Sequence, residues 1–344
     1  RDSFILAIGS YEQPGEKVTA HTPDVLPPLQ KEGEHANRLD LARWLVSRDN
    51  PLTARVTVNR LWQEFFGIGF IKSAEDFGVQ SEIPKHPEAL DWLAADFMDN
   101  GWDFKKLVRN IVTSRTYRQS STVTSTLLEK DPENRLLARA PRFRLPAWMI
   151  RDQALASSGL LVRQLGGEPV KPWQPPGLWS EVTFGKKKYV PDTGEKVRRR
   201  TLYTFWRRIS APPMLFDSAK RETCEVTSGR TNSPLHALAI LNDPLYSEAA
   251  RALASRASTG TPATTLAKAF ELILARPPGE DEEAALTKIY EHAVASFTAH
   301  PESAGAFLAV GETPPDSRLT AIEQAALATV CLSILNTDEA LTKE

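Results

Sequence analysis

The stretch Pro51-Leu52-Thr53-Ala54-Arg55-Val56-Thr57-Val58-Asn59-Arg60-Leu61-Trp62-Gln63-Glu64-Phe65-Phe66-Gly67 decides the fold. Val58, Leu61, Trp62, Phe65 and Phe66 recur at three- and four-residue spacing, so they share one face of a helix. Asn50-Pro51 starts it, and Gly67 ends it where a left-handed residue is favoured. The pattern repeats outward. Upstream, Asn37 is placed to cap a helix with Leu39, Ala42, Leu45 and Val46 on its apolar side. Downstream, His86-Pro87-Glu88 opens a helix that turns Leu90, Leu93, Ala94, Phe97 and Met98 inward and stops at Asn100-Gly101. Leu107, Val108, Ile111 and Val112 mark a fourth helix. Residues 146–162 read as a fifth, starting at Pro146. After an irregular stretch, helical spacing returns at Pro234–Ala239, Ser247–Ser255, Thr265–Ala275, Glu282–Thr298 and Ile322–Leu335. The sequence predicts a mainly α protein, a multi-helix assembly with an irregular aromatic and basic central segment and a minor N-terminal strand.

That strand is Phe4-Ile5-Leu6-Ala7-Ile8-Gly9, followed by a turn-rich run with Pro14-Gly15, Pro23 and Pro27-Pro28. A single strand needs partners, expected from elsewhere in the chain or from an upstream domain. The organisation read from these signals has four parts. Residues 1–30 form an extended linker and strand closing an upstream domain, and 31–162 a helical subdomain. Residues 163–232 are the irregular segment, and 233–344 a C-terminal helical subdomain packed on the first. The chain begins at Arg1 with no basic-then-apolar leader, and is read as a mature or excised C-terminal piece.

The bulk numbers exclude several classes. At 344 residues, with 41% hydrophobic and 25% charged residues, the chain is long enough and apolar enough for real cores. A formal net charge of −1 gives no support to a dedicated nucleic-acid binder. No apolar run approaches the ~20 residues of a membrane span. Two cysteines rule out a disulfide scaffold and a four-cysteine zinc site.

Several blocks define a family resemblance. They are Asn37-Arg38-Leu39-Asp40-Leu41-Ala42-Arg43-Trp44-Leu45, Val58-Asn59-Arg60-Leu61-Trp62, His86-Pro87-Glu88 with Asp91-Trp92-Leu93-Ala94, and Gly101-Trp102-Asp103. Further on stand Ser114-Arg115-Thr116-Tyr117-Arg118-Gln119-Ser120-Ser121, Asp131-Pro132-Glu133-Asn134-Arg135-Leu136 and Pro175-Pro176-Gly177-Leu178-Trp179. Leu202-Tyr203-Thr204-Phe205-Trp206 and Arg230-Thr231-Asn232-Ser233-Pro234-Leu235 complete the set. The chain resembles the planctomycete-type domain of unknown function found downstream of c-type cytochrome domains, the PSD family, over nearly its whole length. The resemblance implies an exported, extracytoplasmic multidomain protein with a haem-binding module upstream, acting near the breakdown of complex or sulfated polysaccharides. It implies no catalytic residues.

Known chemistries leave little trace. Covalent haem needs Cys-x-x-Cys-His, and neither Cys224 nor Cys331 stands in such a run, so no cofactor is expected in this chain. The two cysteines allow a single disulfide, with a buried thiol at Cys331 as the plainer reading. His21, His35, His86, His236, His292 and His300 form no metal-ligand spacing, and no metal is expected. His86, ahead of Pro87, reads as a capping or packing residue before a proton carrier. Asp76-Phe77-Gly78 lacks every other kinase element, and Gly67-Ile68-Gly69 follows a helix and lacks the third glycine of a dinucleotide fingerprint.

The informative segment is 171–208. It holds Lys171, Lys186, Lys187, Lys188, Lys196, Arg198, Arg199, Arg200, Arg207 and Arg208 against Glu181, Asp192 and Glu195, so it carries +7 and the remainder −8. Trp173, Trp179, Phe184, Tyr189, Tyr203, Phe205 and Trp206 interleave with the cations. Aromatic faces stack on sugar rings, and arginine forks grip sulfate or carboxylate. The candidate ligand-binding set is Trp173, Trp179, Tyr203, Trp206, Arg198, Arg199, Arg200, Arg207, Arg230 and Asn232. The last two stand just before a Pro-started helix. Two other uses fit the same residues: tryptophans pinning the segment to the core, or contact with a partner domain. The acids Asp152, Asp217, Glu222 and Asp243 read as caps or ion-pair partners. An enzyme acting on an anionic glycan, with such an acid pair or His86 as proton carrier, is the alternative function. The expected partners are the upstream cytochrome-type domain and an anionic polysaccharide, with no nucleic acid and no membrane span.

Overall fold

A computed structural model describes residues 2–207, 226 and 229–343. Among these residues the chain is mainly helical, with fourteen α-helices and four short strands. It divides into two units, Arg1–Pro141 and Arg142–Glu344.

The first unit begins with β1 (Ser3–Leu6), which pairs antiparallel with β2 (Pro14–Val18). The lone strand of the sequence reading therefore finds its partner eight residues later, across the Pro14 turn, rather than in another domain. Helices α1 (Arg38–Leu45), α2 (Thr53–Phe66), α3 (Pro87–Asp99), α4 (Phe104–Thr113) and α5 (Ser125–Lys130) follow. The core is the α2 face read from the sequence. Val58, Trp62 and Phe66 meet Phe70, Leu90, Leu93, Phe97, Leu107 and Ile111, and the Trp62 and Phe66 rings stack at 3.9 Å. Helix α1 departs from expectation. Its apolar positions Leu39, Leu45 and Val46 are exposed, while Asp40 is buried. The cause lies in its anchors: Asn37 and Asp40 form a reciprocal capping box, and the Trp44 indole donates to the Pro27 carbonyl at 2.7 Å.

Two motif blocks act as fasteners in this unit. The buried Asn59 amide exchanges two hydrogen bonds with the Ile71 backbone, at 3.0 and 2.9 Å. A Cβ on Gly69 would lie 2.5 Å from that amide, so the second glycine of Gly67-Ile68-Gly69 is required by close approach. Arg135 holds the same strip through the Gly69 and Phe70 carbonyls, both at 2.8 Å. The Asp131 carboxylate accepts from the Arg135 and Leu136 amides at 2.7 and 2.8 Å.

The second unit contains α6 (Ala147–Ser158), α7 (Leu178–Val182), α8 (Pro234–Asn242), α9 (Pro244–Ala257), α10 (Pro262–Leu274), α11 (Glu280–Ala299), α12 (Pro301–Leu308), α13 (Ala321–Leu335) and α14 (Asp338–Leu341). A two-residue pairing joins β3 (Phe143–Arg144) to β4 (Thr342–Lys343). Helix α9 is the hub and packs on α6, α10 and α13. Its Ala249, Ala250, Ala254 and Ala257, like Ala325, Ala326 and Ala328 of α13, are wholly buried. Such small side chains let helix axes approach closely. The boundary falls after Pro141 rather than near 162, because Ile150, Ala154 and Leu155 of α6 belong to the α9–α13 core. Periodicity missed α5, α7 and α14, which are too short to show it, and α12, which carries Gly305.

Candidate functional site

The central segment has almost no regular structure, yet it is tightly held. Two isolated parallel bridges, Val162 to Arg199 and Val170 to Thr204, set its course. Arg151 of α6 is fully buried. It donates to the Arg199 carbonyl at 3.0 Å, the Thr201 hydroxyl at 3.0 Å and the Val197 carbonyl at 2.5 Å. Burial holds its pKa below the arginine norm, although the guanidinium stays cationic. The neighbouring Asp152 accepts from the Thr201 amide at 2.8 Å and its hydroxyl at 2.6 Å. Arg199 turns inward to the Glu168, Gln164 and Gly166 carbonyls and lies 3.9 Å from the Tyr203 ring centre. The Tyr203 hydroxyl accepts from the Gly166 amide at 2.9 Å. Arg198 reaches Glu248 at 2.6 Å.

An outer layer is built on Trp179. Gly177, with φ of 87°, turns the chain into α7 in a conformation that favours glycine. Trp179 is buried, its N–H donating to Gln174 at 2.7 Å. Its ring stacks on Tyr189 at 5.4 Å and tilts against Phe205 at 6.0 Å. The Tyr189 hydroxyl donates to the Pro172 carbonyl at 2.7 Å, and burial raises its pKa. Lys171 sits 5.7 Å over Phe205 and Arg207 6.0 Å over Trp179. In the same stretch of sequence Trp173, Phe184, Lys186, Lys187 and Lys188 are exposed. Among the described residues, none of these three lysines is in an ion pair.

Beneath the segment lies a second cluster. Asp243 caps α9 by accepting from the Leu245 amide at 2.8 Å. Burial pushes its carboxyl up to about 6, against the pull of that amide and of Arg151. Tyr246, one turn on and buried, is raised by burial and by the charge of Asp243.

The ten candidate residues thus separate. Arg199 and Trp179 are buried, Tyr203 is engaged within the segment, and Arg198 is engaged by Glu248 of α9 and by Thr313. Trp206 and Arg207 are half-buried, with Arg230 stacked 4.0 Å over Phe143. Trp173, Arg200 and Asn232 are exposed, Arg200 standing 3.8 Å from Asp152. Arg208, Asp217, Glu222 and Cys224 lie outside the described residues, and so does any pairing of Cys224. Cys331 is a buried free thiol, raised by burial to about 12. His86 stands at the N-cap of α3 without a side-chain capping bond. Among the described residues, no group of three or more His, Cys, Asp or Glu side chains is placed to hold a metal ion, and no helix is long and apolar enough to cross a membrane. The candidate set omits Lys186, Lys187 and Lys188 and the fasteners Arg151 and Glu248. The lysine run was visible in the sequence as the only three consecutive basic residues before Arg198-Arg199-Arg200. The fasteners carry no sequence signal beyond a polar residue on a buried helix face.

Fold and surface together define a mainly helical module whose irregular central segment carries a cationic, aromatic face. The chain belongs to the PSD1 family, proteins of unknown function (DUF1553), whose model matches residues 37–290. The match starts at the cap of α1 and ends within α11, so it takes in every motif block but not the whole length over which the resemblance was read. No curated protein and no solved structure matches the chain.

Proposed function

We propose that this chain is a non-haem binding module for an anionic polysaccharide. In this reading it belongs to an exported protein that also carries a c-type cytochrome domain, and it links that redox partner to polysaccharide breakdown. The observation that carries the binding reading is the outer face of the central segment. Exposed Trp173, Lys186, Lys187 and Lys188, the three lysines in no ion pair among the described residues, lie close in sequence to a stack of Trp179, Tyr189 and Phe205 with two cations over its rings. A sugar ring stacks on an exposed indole, and sulfate or carboxylate groups meet mobile ammonium groups at little desolvation cost. The context of export and cytochrome rests on the family resemblance alone.

The test is titration of the chain with a sulfated polysaccharide and with its desulfated form. Binding should appear only with the first, weaken as salt rises from 0.05 to 0.5 M, on the order of the change in Debye length, and fall at least tenfold in a Lys186→Ala, Lys187→Ala, Lys188→Ala variant. Equal binding of both polymers, or none at low salt, contradicts the proposal. The hydrolytic alternative is favoured by one feature, the Asp243 carboxyl held at about 6 beside the buried Tyr246. It requires release of new reducing ends from the same polymer and loss of that release in Asp243→Asn.

A further inference from the structure

The second unit holds a cleft of about 710 Å³, within the ~300–1,000 Å³ typical of small-molecule sites. One wall is the end of α12, with Gly305, Leu308 and Ala309. The other is the loop from Gly311 to Leu319 that leads into α13. That loop is braced from behind. Glu248 of α9 accepts from the Glu312 and Thr313 amides at 3.0 and 2.7 Å and from the Thr313 hydroxyl at 2.6 Å. Gly311 has a φ of +79°, and a Cβ on it would meet Glu248 at 2.7 Å, so the loop closes tightly on α9. The Asp316 amide donates to the buried Gln324 side chain at 3.2 Å, and Pro314 and Pro315 have no N–H to give. The loop thus spends most of its donors inside the fold and leaves acceptors for a ligand.

Charge follows the same bias. The cleft is lined by the carboxylates of Glu312 and Asp316 and by no lysine, arginine or histidine. Asp316 is compensated by Arg318 at 2.6 Å. Glu312 accepts from the Gly194 amide at 2.5 Å, and among the described residues no cation pairs with it. Gly305 is an independent sign. Glycine inside a helix lowers its stability, and a Cβ on Gly305 would meet nothing within 4 Å, so packing does not call for glycine there. The space that its missing side chain leaves open belongs to the cleft. We propose that this cleft binds a small organic cation, an ammonium group on a compact apolar body, with the ammonium at Glu312 and the body against Leu308, Leu319, Pro314 and Pro315. An acidic, donor-poor cleft repels an anionic polymer, so the site is separate from the lysine face.

Calorimetric titration of the full chain with phenethylamine tests it, with phenethyl alcohol and phenylacetate as probes of the same shape and different charge. The amine should bind at a single site at least tenfold more tightly than the alcohol, the difference a charged hydrogen bond supplies, and phenylacetate should not bind. Glu312→Gln can still accept from the Gly194 amide, so it should fold normally and bring the amine down to the affinity of the alcohol. Gly305→Phe places a ring in the cleft. It should unfold at a midpoint no lower than wild type and lose at least tenfold in affinity for the amine. No binding of the amine at millimolar concentration, equal binding of all three probes, or an unchanged amine affinity in either folded variant overturns the proposal.

Discussion

The Asp131–Arg139 loop of the first unit and the 163–207 segment of the second are built from the same residue types, yet they use them differently. In the loop, Arg135 and Arg139 end on backbone carbonyls of Gly69, Phe70, Asp131 and Pro132, and little charge is left over for a ligand. In the segment the cations divide. Arg199, met by Arg151 of α6, satisfies backbone carbonyls that a sheet would otherwise pair, and Arg198 turns inward to Glu248, while Lys186, Lys187, Lys188 and Arg200 face water. A dense basic run is therefore two populations, separated by burial rather than by residue type. Irregular backbone survives in a folded unit only where side chains satisfy its carbonyls, and arginine, with five donors, is the economical choice.

The largest test of this division is Arg151→Met. It strands the Val197 and Arg199 carbonyls and should destabilise the second unit by about 3–5 kcal/mol, measured by urea unfolding. A loss under about 1 kcal/mol would mean the segment holds its course without its arginines. Next comes Asp243→Asn, which keeps the cap but removes a buried charge. Asp243 has a raised folded pKa of about 6, above an unfolded value near 3.9. The native state then binds more protons between these values, so wild-type stability falls as pH rises through that window. Asp243→Asn should match wild type near pH 4 and exceed it by ~3 kcal/mol at pH 7. An identical pH dependence in both proteins would show that Asp243 is well solvated. In the first unit, Asn59→Ala leaves the Ile71 backbone unpartnered and should cost about 2 kcal/mol, read as a lower urea midpoint with an unchanged slope. The smallest effect belongs to the surface. Replacing Lys186, Lys187 and Lys188 by alanine should alter stability by less than about 0.5 kcal/mol.

These expectations also mark what the sequence makes legible. The face of Val58, Trp62 and Phe66, the Asn37 cap, and the Pro-started helices were readable because periodicity and capping are local. The exposure of Leu39, Leu45 and Val46 was not readable, because it depends on where a capped helix is anchored and not on its own spacing. Nor was the assignment of α6 to the second unit, which rests on the alanines of a helix about a hundred residues away. Within the basic segment, residue type and spacing could not separate Arg199 from Arg200. One is stacked on Tyr203 and buried, and its neighbour is exposed. The switch between them is a bridge to Val162 that no local pattern announces. Glu248 was hidden for the same reason, as a polar residue inside an alanine-rich helix.

The division between inward arginines and outward lysines is tested most directly by lysine acetylation footprinting, with and without a saturating sulfated polysaccharide. Lys186, Lys187 and Lys188 should be protected by the polymer, while the ion-paired Lys72 and Lys106 of the first unit keep their reactivity. Protection confined to the first unit, or uniform across all lysines, would contradict the account.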